Sequence, residues 1–491
     1  MRHQHIPAGI LKAGLCVSAM LWPLAAAADQ FDRVRRDVAD LMAAENLASI
    51  SVAVSRDGKV LWEQGFGWSD RDRRIAATAR TPYALASISK VFTATAVMAL
   101  AERGQVNLDA PVNDYLGAHK VVARLGDARD ATLRRLADHT SGLPDFSRFY
   151  YEGEKLEPLT MEQGIERFGV LMRPPGEAYV YSSLGFGILG YVLERVSGQS
   201  YAMAMDSLVF KPLGLQDSAV GPPPSGDARA AVRYSKSSAR IPRYWCEGPA
   251  SADVMSSAHD LLSFGMFHLK DDLPGRKPAL SHASIDAMQV ATAKDPSDSN
   301  GKGARGFGWG LHEIEGLRIV SHAGYMPGVS SQLTLAPDHD IAIVVLANGQ
   351  SRRLSEITNE IMRLVRPQTA AATDGFEAPA SLQGTWSGSA QTSNGKVPVM
   401  LDIRAGGRVF AQIGTGPVTE VLEKEVSRDG TLSLDGVEGD IGTADAAVYP
   451  YTLEFSLVKR GEVLGGNVKA HSRPMLDRIG NLLPYWVELR R

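Results

Sequence analysis

Four Ser-x-x-Lys tetrapeptides occur in this chain, at Ser87/Lys90, Ser299/Lys302, Ser393/Lys396 and Ser456/Lys459. A hydroxyl is a poor nucleophile until a neighbour takes its proton, and an amine stripped of water gives up its own proton more readily. An alcohol and an amine at this spacing can therefore carry acyl transfer, provided the backbone brings them together. About one or two such tetrapeptides arise by chance in a chain of this length, so context must choose among them. Ser299 and Ser393 are each followed by Asn-Gly, a turn dipeptide, and read as loop tips. Ser456 lies in an alternating run, where residues three apart point to opposite faces of a strand. Ser87 sits where a long apolar helix begins, and on a helix residues three apart share a face. A helix start also offers unpaired N–H groups and partial positive charge to a developing oxyanion. Lys90 is surrounded by Ile88, Val91 and Phe92, which favours its desolvation. The plain alternative is a Ser87 that only caps the helix above a solvated Lys90. Other hydrolase signals are absent: the sequence has no G-x-S-x-G and no H-E-x-x-H, and its histidines are scattered. Neither a metal nor an organic cofactor is expected.

Further segments extend the pattern. His139-Thr140-Ser141-Gly142-Leu143-Pro144 follows Ser87, then Tyr179-Val180-Tyr181-Ser182-Ser183 runs into an apolar stretch, and His322-Ala323-Gly324 comes much later. In this order and spacing the chain resembles the serine β-lactamase and penicillin-binding-protein superfamily. Within it, the nearest likeness is to the branch holding class C β-lactamases, D-amino-acid-releasing peptidases and β-lactamase-like esterases. The resemblance spans residues 31–365. It implies a Ser87 that is acylated, Lys90 as its partner one turn on, and Tyr181 as general base, with Lys90 and Tyr181 treated as one coupled unit. It also implies an oxyanion hole from the backbone N–H groups of Ser87 and Tyr325, and a substrate pocket edged by Ser183, His322 and Gly324. Tyr179 is the competing phenol, expected to be a packing residue. His139 is expected to hold a loop, and Asp145 and Glu177 to act as loop and capping residues.

Two departures bear on substrate. Many β-lactamases of this branch carry Asn where Ser183 stands, and a serine is too short to reach a substrate amide directly. They carry Lys where His322 stands, whereas a histidine is mostly neutral above a pKa of about 6.5. Carboxylate recognition should then be weak and should improve as pH falls through the titration of His322. Both changes favour an esterase, peptidase or amidase over an efficient β-lactamase. The competing reading is a non-catalytic or slowly acylated binder of cell-wall peptides or β-lactams.

These residues need elements to position them. An amphipathic helix is expected over residues 29–45, a strand pair over 50–55 and 60–66 joined at Asp57-Gly58, and a long helix over 88–103 stopped by Gly104. Helices and loops should dominate 108–267. Strands return at 317–321, 332–335 and 341–346, and a helix at 353–365 closes the first domain. The fold class is thus α+β: an antiparallel sheet flanked by helices plus a helical subdomain, with a small antiparallel β domain behind it. The expected boundaries are 1–28 for a leader, 29–366 for the hydrolase domain, 367–380 for a linker and 381–491 for a β-rich, barrel-like domain. Gly384-Thr385-Trp386 resembles the opening of lipocalin barrels, with packing as its plain role.

The whole chain has 491 residues, 22% charged, with Lys+Arg 52 against Asp+Glu 55 and a pI near 6.4. That balance excludes a disordered chain and gives no electrostatic footprint for nucleic acid. Arg2 and Lys12, the apolar stretch 13–24 and Ala25-Ala26-Ala27-Ala28 describe a secretory leader, with an uncleaved anchor as the alternative. Cleavage after Ala28 leaves Cys246 as the one cysteine, so no internal disulfide is expected. The partners foreseen are a small ester, amide, peptide or β-lactam, with no nucleic acid, in a periplasmic or secreted protein not integral to the membrane.

Overall fold

Ile341–Ala347 is an apolar run buried along its whole length, which marks a strand covered on both faces. Its side chains alternate. Ala342, Val344 and Leu346 join one core cluster, while Ile341, Ile343, Val345 and Ala347 join another. The computed structural model describes residues 30–146, 148–153, 155, 158–221, 229–246, 248–295, 303–314, 316–366, 378–392, 395–421, 423–426, 431–439, 441, 451–472 and 482–491. The expected leader, most of the expected linker, Ser299, Lys302 and Ser393 lie outside the described residues.

The chain divides into two compact units, residues 1–366 and 367–491. In the first, the main elements in chain order are α1 (Asp32–Glu45), β1 (Ser49–Arg56), β2 (Lys59–Asp70), α2 (Ser89–Glu102), α3 (Ser183–Ser197), α4 (Ala258–His268), β3 (Gly310–Ile314), β4 (Leu317–Met326), β5 (Val329–Ala336), β6 (Ile341–Ala347) and α5 (Leu354–Val365). The antiparallel sheet runs β3-β4-β5-β6-β1-β2, with two-residue strands beyond both ends. The register Val52↔Val345 ties the unit's first strand to its last, a pairing of high sequence separation. α1 and α5 pack on one face through Val34, Val38, Leu41, Ile357 and Ile361. α2, α3 and α4 belong to the cluster on the other face. α2 is buried from Ser89 to Leu100, as expected of a helix that is apolar all round.

The structure departs from expectation in detail. The long helix starts at Ser89, preceded by a 3-10 turn over Ala86–Ile88. The region expected to be helix and loop also carries small sheets, among them Tyr83–Ala84 with Val254–Ser256, and Phe149–Tyr151 with Tyr244–Cys246. Local patterning misses two- and three-residue strands because they hold too few residues to show a period. Among the described residues, no helix is long and apolar enough to cross a membrane, and no group of three or more His, Cys, Asp or Glu could hold a metal ion.

The second unit is a nearly closed antiparallel barrel. Its strands are β7 (Gly384–Thr392), β8 (Gly395–Ile403), β9 (Val409–Ile413), β10 (Thr419–Val421), β11 (Glu423–Val426), β12 (Thr431–Glu438), β13 (Tyr451–Arg460), β14 (Val463–Ser472) and β15 (Leu482–Arg490). They order as β10-β9-β8-β7-β15-β14-β13-β12-β11, so the two edge strands are neighbours in sequence. Trp386, Leu401, Leu434, Phe455 and Leu457 are fully buried in its core. Trp386 Nε1 donates to the Leu382 carbonyl at 2.7 Å, and the Arg491 guanidinium lies 4.7 Å from the indole ring while donating to the carbonyls of Ser381 and Gln383. The last residue of the chain thus latches the first strand of the barrel. Trp386→Ala should cost about 3–5 kcal/mol of this unit's stability. Calorimetry on the full chain should show a lowered transition for the second unit while the first unit's transition stays in place.

Candidate active site

Ser87 lies in the 3-10 turn ahead of α2, directly after Ala86, whose φ is 49°. A left-handed alanine costs about 1–2 kcal/mol, so its surroundings must hold it. They do so from both sides of the turn. Leu85 N–H donates to the Val254 carbonyl at 2.9 Å, Ser89 Oγ accepts from Val254 N–H at 2.9 Å, and Ser331 Oγ donates to the Leu85 carbonyl at 2.7 Å. The turn is pressed so closely on β4 that a Cβ on Gly324 would sit 2.1 Å from the Leu85 oxygen and 2.4 Å from Ser331 Oγ. Glycine at 324 is what lets the strand pass beneath the serine.

Ser87 makes no capping hydrogen bond, and Lys90 is 1% exposed, so neither half of the plain alternative describes them. Lys90 Nζ donates to Ser87 Oγ at 3.3 Å and to the Ser251 carbonyl at 2.9 Å. Tyr181 O–H donates to Ser87 Oγ at 2.9 Å. The ammonium also lies 4.8 Å from the Tyr181 ring centroid and 5.8 Å from that of Phe186. An amine and a phenol from two distant segments thus meet on one oxygen.

Tyr181 is placed by the start of α3. Ser182 caps that helix, its Oγ accepting from Gly185 N–H at 3.0 Å and donating to the Pro144 carbonyl at 2.8 Å. Ser183 opens the helix with its N–H on Asp145 Oδ1 at 2.9 Å, so Asp145 is the loop-fixing residue it was expected to be. Glu177 is half-exposed and pairs with Arg173 at 3.8 Å. Tyr179 takes a different direction: its ring lies under the Arg305 guanidinium at 5.1 Å and edge-on to His139, and burial pushes its phenol upward.

His322 is buried in β4, with Nδ1 2.9 Å from the Ala323 carbonyl. Burial, then the charges of Arg305 and Lys90, push it down to about 3. This corrects the expectation that its titration tunes carboxylate recognition at mildly acidic pH. A histidine shut away from water beside two cations stays neutral far below its usual range. The rate ratio between a carboxylate-bearing and a neutral substrate should therefore stay flat from about pH 5 to pH 9. A ratio that climbs severalfold as pH drops through 6.5 would show His322 charging after all. Tyr325 is 40% exposed, its ring under Arg352 at 4.9 Å. The β3 ladder ends at Gly310↔Ser321, and among the described residues no strand continues it along His322–Met326.

Ser89, Ser251 and Ser331 hold the serine turn and the lysine, and none of them carried a signal in the sequence. Their contribution is a single carbonyl or hydroxyl contact across the fold, which no spacing pattern records. Cys246 is buried and free.

An antiparallel sheet covered on both faces by helices, with a Ser-x-x-Lys pair and a tyrosine beside one of its strands, defines a β-lactamase/transpeptidase-like protein. The Beta-lactamase family model matches residues 34–366, and the chain belongs to that family. Penicillin-binding protein 4 of Amycolatopsis lactamdurans is 30% identical over 334 residues, covering 65% of this chain and 84% of that protein. Protein flp of Staphylococcus aureus is 26% identical over 325 residues, and the chain spans only 62% of its length. Among solved structures, the octameric penicillin-binding protein homologue from Pyrococcus abyssi superposes with a TM-score of 0.59 at 21% identity, over 93% of this chain and 99% of that one. At that identity the likeness speaks for the fold alone.

Proposed function

We propose that the chain is a serine hydrolase that cleaves esters or amides through an acyl-enzyme on Ser87. The observation that carries this reading is the meeting of Lys90 Nζ and Tyr181 Oη on Ser87 Oγ, at 3.3 and 2.9 Å. Acylation needs the alcohol proton to leave as Oγ attacks the acyl carbon. The Tyr181–Lys90 pair, in the form that holds one proton fewer, takes that proton as one coupled unit, with Tyr181 Oη the shorter contact. The tetrahedral oxyanion is met by the N–H groups of Ser87 and Tyr325. The leaving group departs with the proton from Tyr181. Water then attacks the ester carbon, gives its proton to the same pair, and Ser87 recovers its hydrogen as the acid is released.

A neutral His322 and a short Ser183 supply no fixed cation and no direct amide contact, which supports uncharged esters and amides over β-lactams as preferred substrates. Action outside the cytoplasm belongs to the same proposal and rests on residues 1–28. One panel on the purified chain tests it: short p-nitrophenyl esters, nitrocefin and D-amino-acid amides, with a fluorophosphonate mapped by peptide mass. The expected result is ester turnover exceeding nitrocefin turnover, with the label on Ser87. Absent turnover with measurable ligand affinity would favour the sensor reading instead, and a label on any other serine would sink the scheme.

A further inference from the structure

The imidazole of His139 lies against the phenol ring of Tyr181, with centroids 4.4 Å apart and 29° between the planes. The same residue grips the chain on both sides of that tyrosine. Its carbonyl oxygen accepts from Val180 N–H at 2.8 Å, and its Nδ1 accepts from Ser182 N–H at 3.0 Å. The backbone N–H groups of both residues flanking Tyr181 are thus hung on one residue. His139 is itself buried, at a φ of 64°, and its ring is backed by Phe186 at 5.2 Å and met edge-on by Tyr179 at 5.7 Å. A ring nitrogen that accepts from a backbone N–H carries no proton, so the imidazole is neutral with its hydrogen on Nε2.

We infer that His139 is a positioning residue that aims the Tyr181 phenol at Ser87 Oγ. It does so by holding the backbone N–H groups of Val180 and Ser182 on either side and by stacking on the ring. The inference rests on the reading of Tyr181 as the proton carrier for Ser87. The geometry explains why a side chain with no contact to Ser87 matters: a proton carrier displaced by about 1 Å forfeits on the order of a hundredfold in rate. The cations acting on the imidazole are Lys90 from α2 and Arg305 from the two-residue strand Ala304–Arg305, and the titratable His322 of β4 faces it as a neutral ring.

Three variants separate the contributions. His139→Asn keeps a hydrogen-bond acceptor and suits a left-handed backbone but has no ring. His139→Phe keeps a ring without an acceptor, and His139→Ala has neither. Each is assayed for kcat and KM on a p-nitrophenyl ester, normalised to the Ser87 sites titrated by fluorophosphonate, alongside the pH–rate profile and the thermal midpoint. The expected result is a kcat per titrated site about a hundredfold down in His139→Ala, with KM within about threefold and a displaced pH limb. His139→Asn and His139→Phe should each recover part of the loss. A merely structural histidine would lower the midpoint and the number of titratable sites while leaving kcat per site and the pH limb alone, and that outcome overturns the inference. Should His139→Ala not fold, His139→Asn decides: wild-type kcat per site in it refutes the role of the stack. Ser87→Ala in the same assay keeps the two readings apart. Activity surviving there overturns the hydrolase reading and this one together, whereas full kcat in the His139 variants beside an inert Ser87→Ala overturns this one alone.

Discussion

Lys90→Ala should lower kcat/KM for a reporter ester by about a thousandfold or more, as removal of any member of a coupled nucleophilic set does. The amine is 1% exposed and is held between the Ser251 carbonyl and Ser87 Oγ, and both contacts are lost with it. Without it the coupled pair on Ser87 Oγ is reduced to Tyr181 alone. The fold should survive, because a buried ammonium is costly to desolvate and its loss relieves that cost even as it opens space. Ser87→Ala should be equally inert and should no longer take up fluorophosphonate. Stopped-flow release of p-nitrophenolate, with mass spectrometry of the labelled peptide, measures both. More than a few per cent of wild-type activity in either variant contradicts the mechanism.

The second large effect concerns the choice between two phenols two residues apart. Tyr181→Phe should cost about 10²–10⁴-fold in kcat, the range for loss of a positioned acid–base group. The ring remains to stack on His139, so the loss should appear with little change in thermal midpoint. Tyr179→Phe should stay within about threefold of wild type, since its ring lies against Arg305 and His139 and burial pushes its phenol away from ionisation near neutral pH. Parallel kinetics on the two variants decide the matter, and equal losses would dissolve the distinction between them.

Much of the frame was legible in residue order. The alternation at β1 and β2, the apolar run of β6 and the periodicity of α1 and α5 appear within a residue or a few of where patterning puts them. For the second unit, a β-rich, barrel-like domain over 381–491 was expected, and β-strands fill it. The short β10 and β11 and the order of the strands were not legible, because they depend on register and twist accumulated over the whole sheet. Trp386 stood out as a G-x-W, but nothing in the sequence coupled it to Arg491, which lies over a hundred residues away.

For the site, what the linear order determined was chemical type and local phase. Ser87 and Lys90 are one turn apart because both sit at the start of an apolar helical run, and Ser183 and His322 were singled out only through the resemblance of their segments to a family pattern. Tertiary structure decided the rest. Tyr181 reaches Ser87 across 94 positions only because α3 packs beside α2 and His139 grips the peptides around the tyrosine. His322 is silent toward protons because of what surrounds it, burial first and then Arg305 and Lys90. Periodicity is written within a few turns of chain and can be read there. Convergence and protonation depend on which surfaces are pressed together and dried, and those are properties of the packed whole.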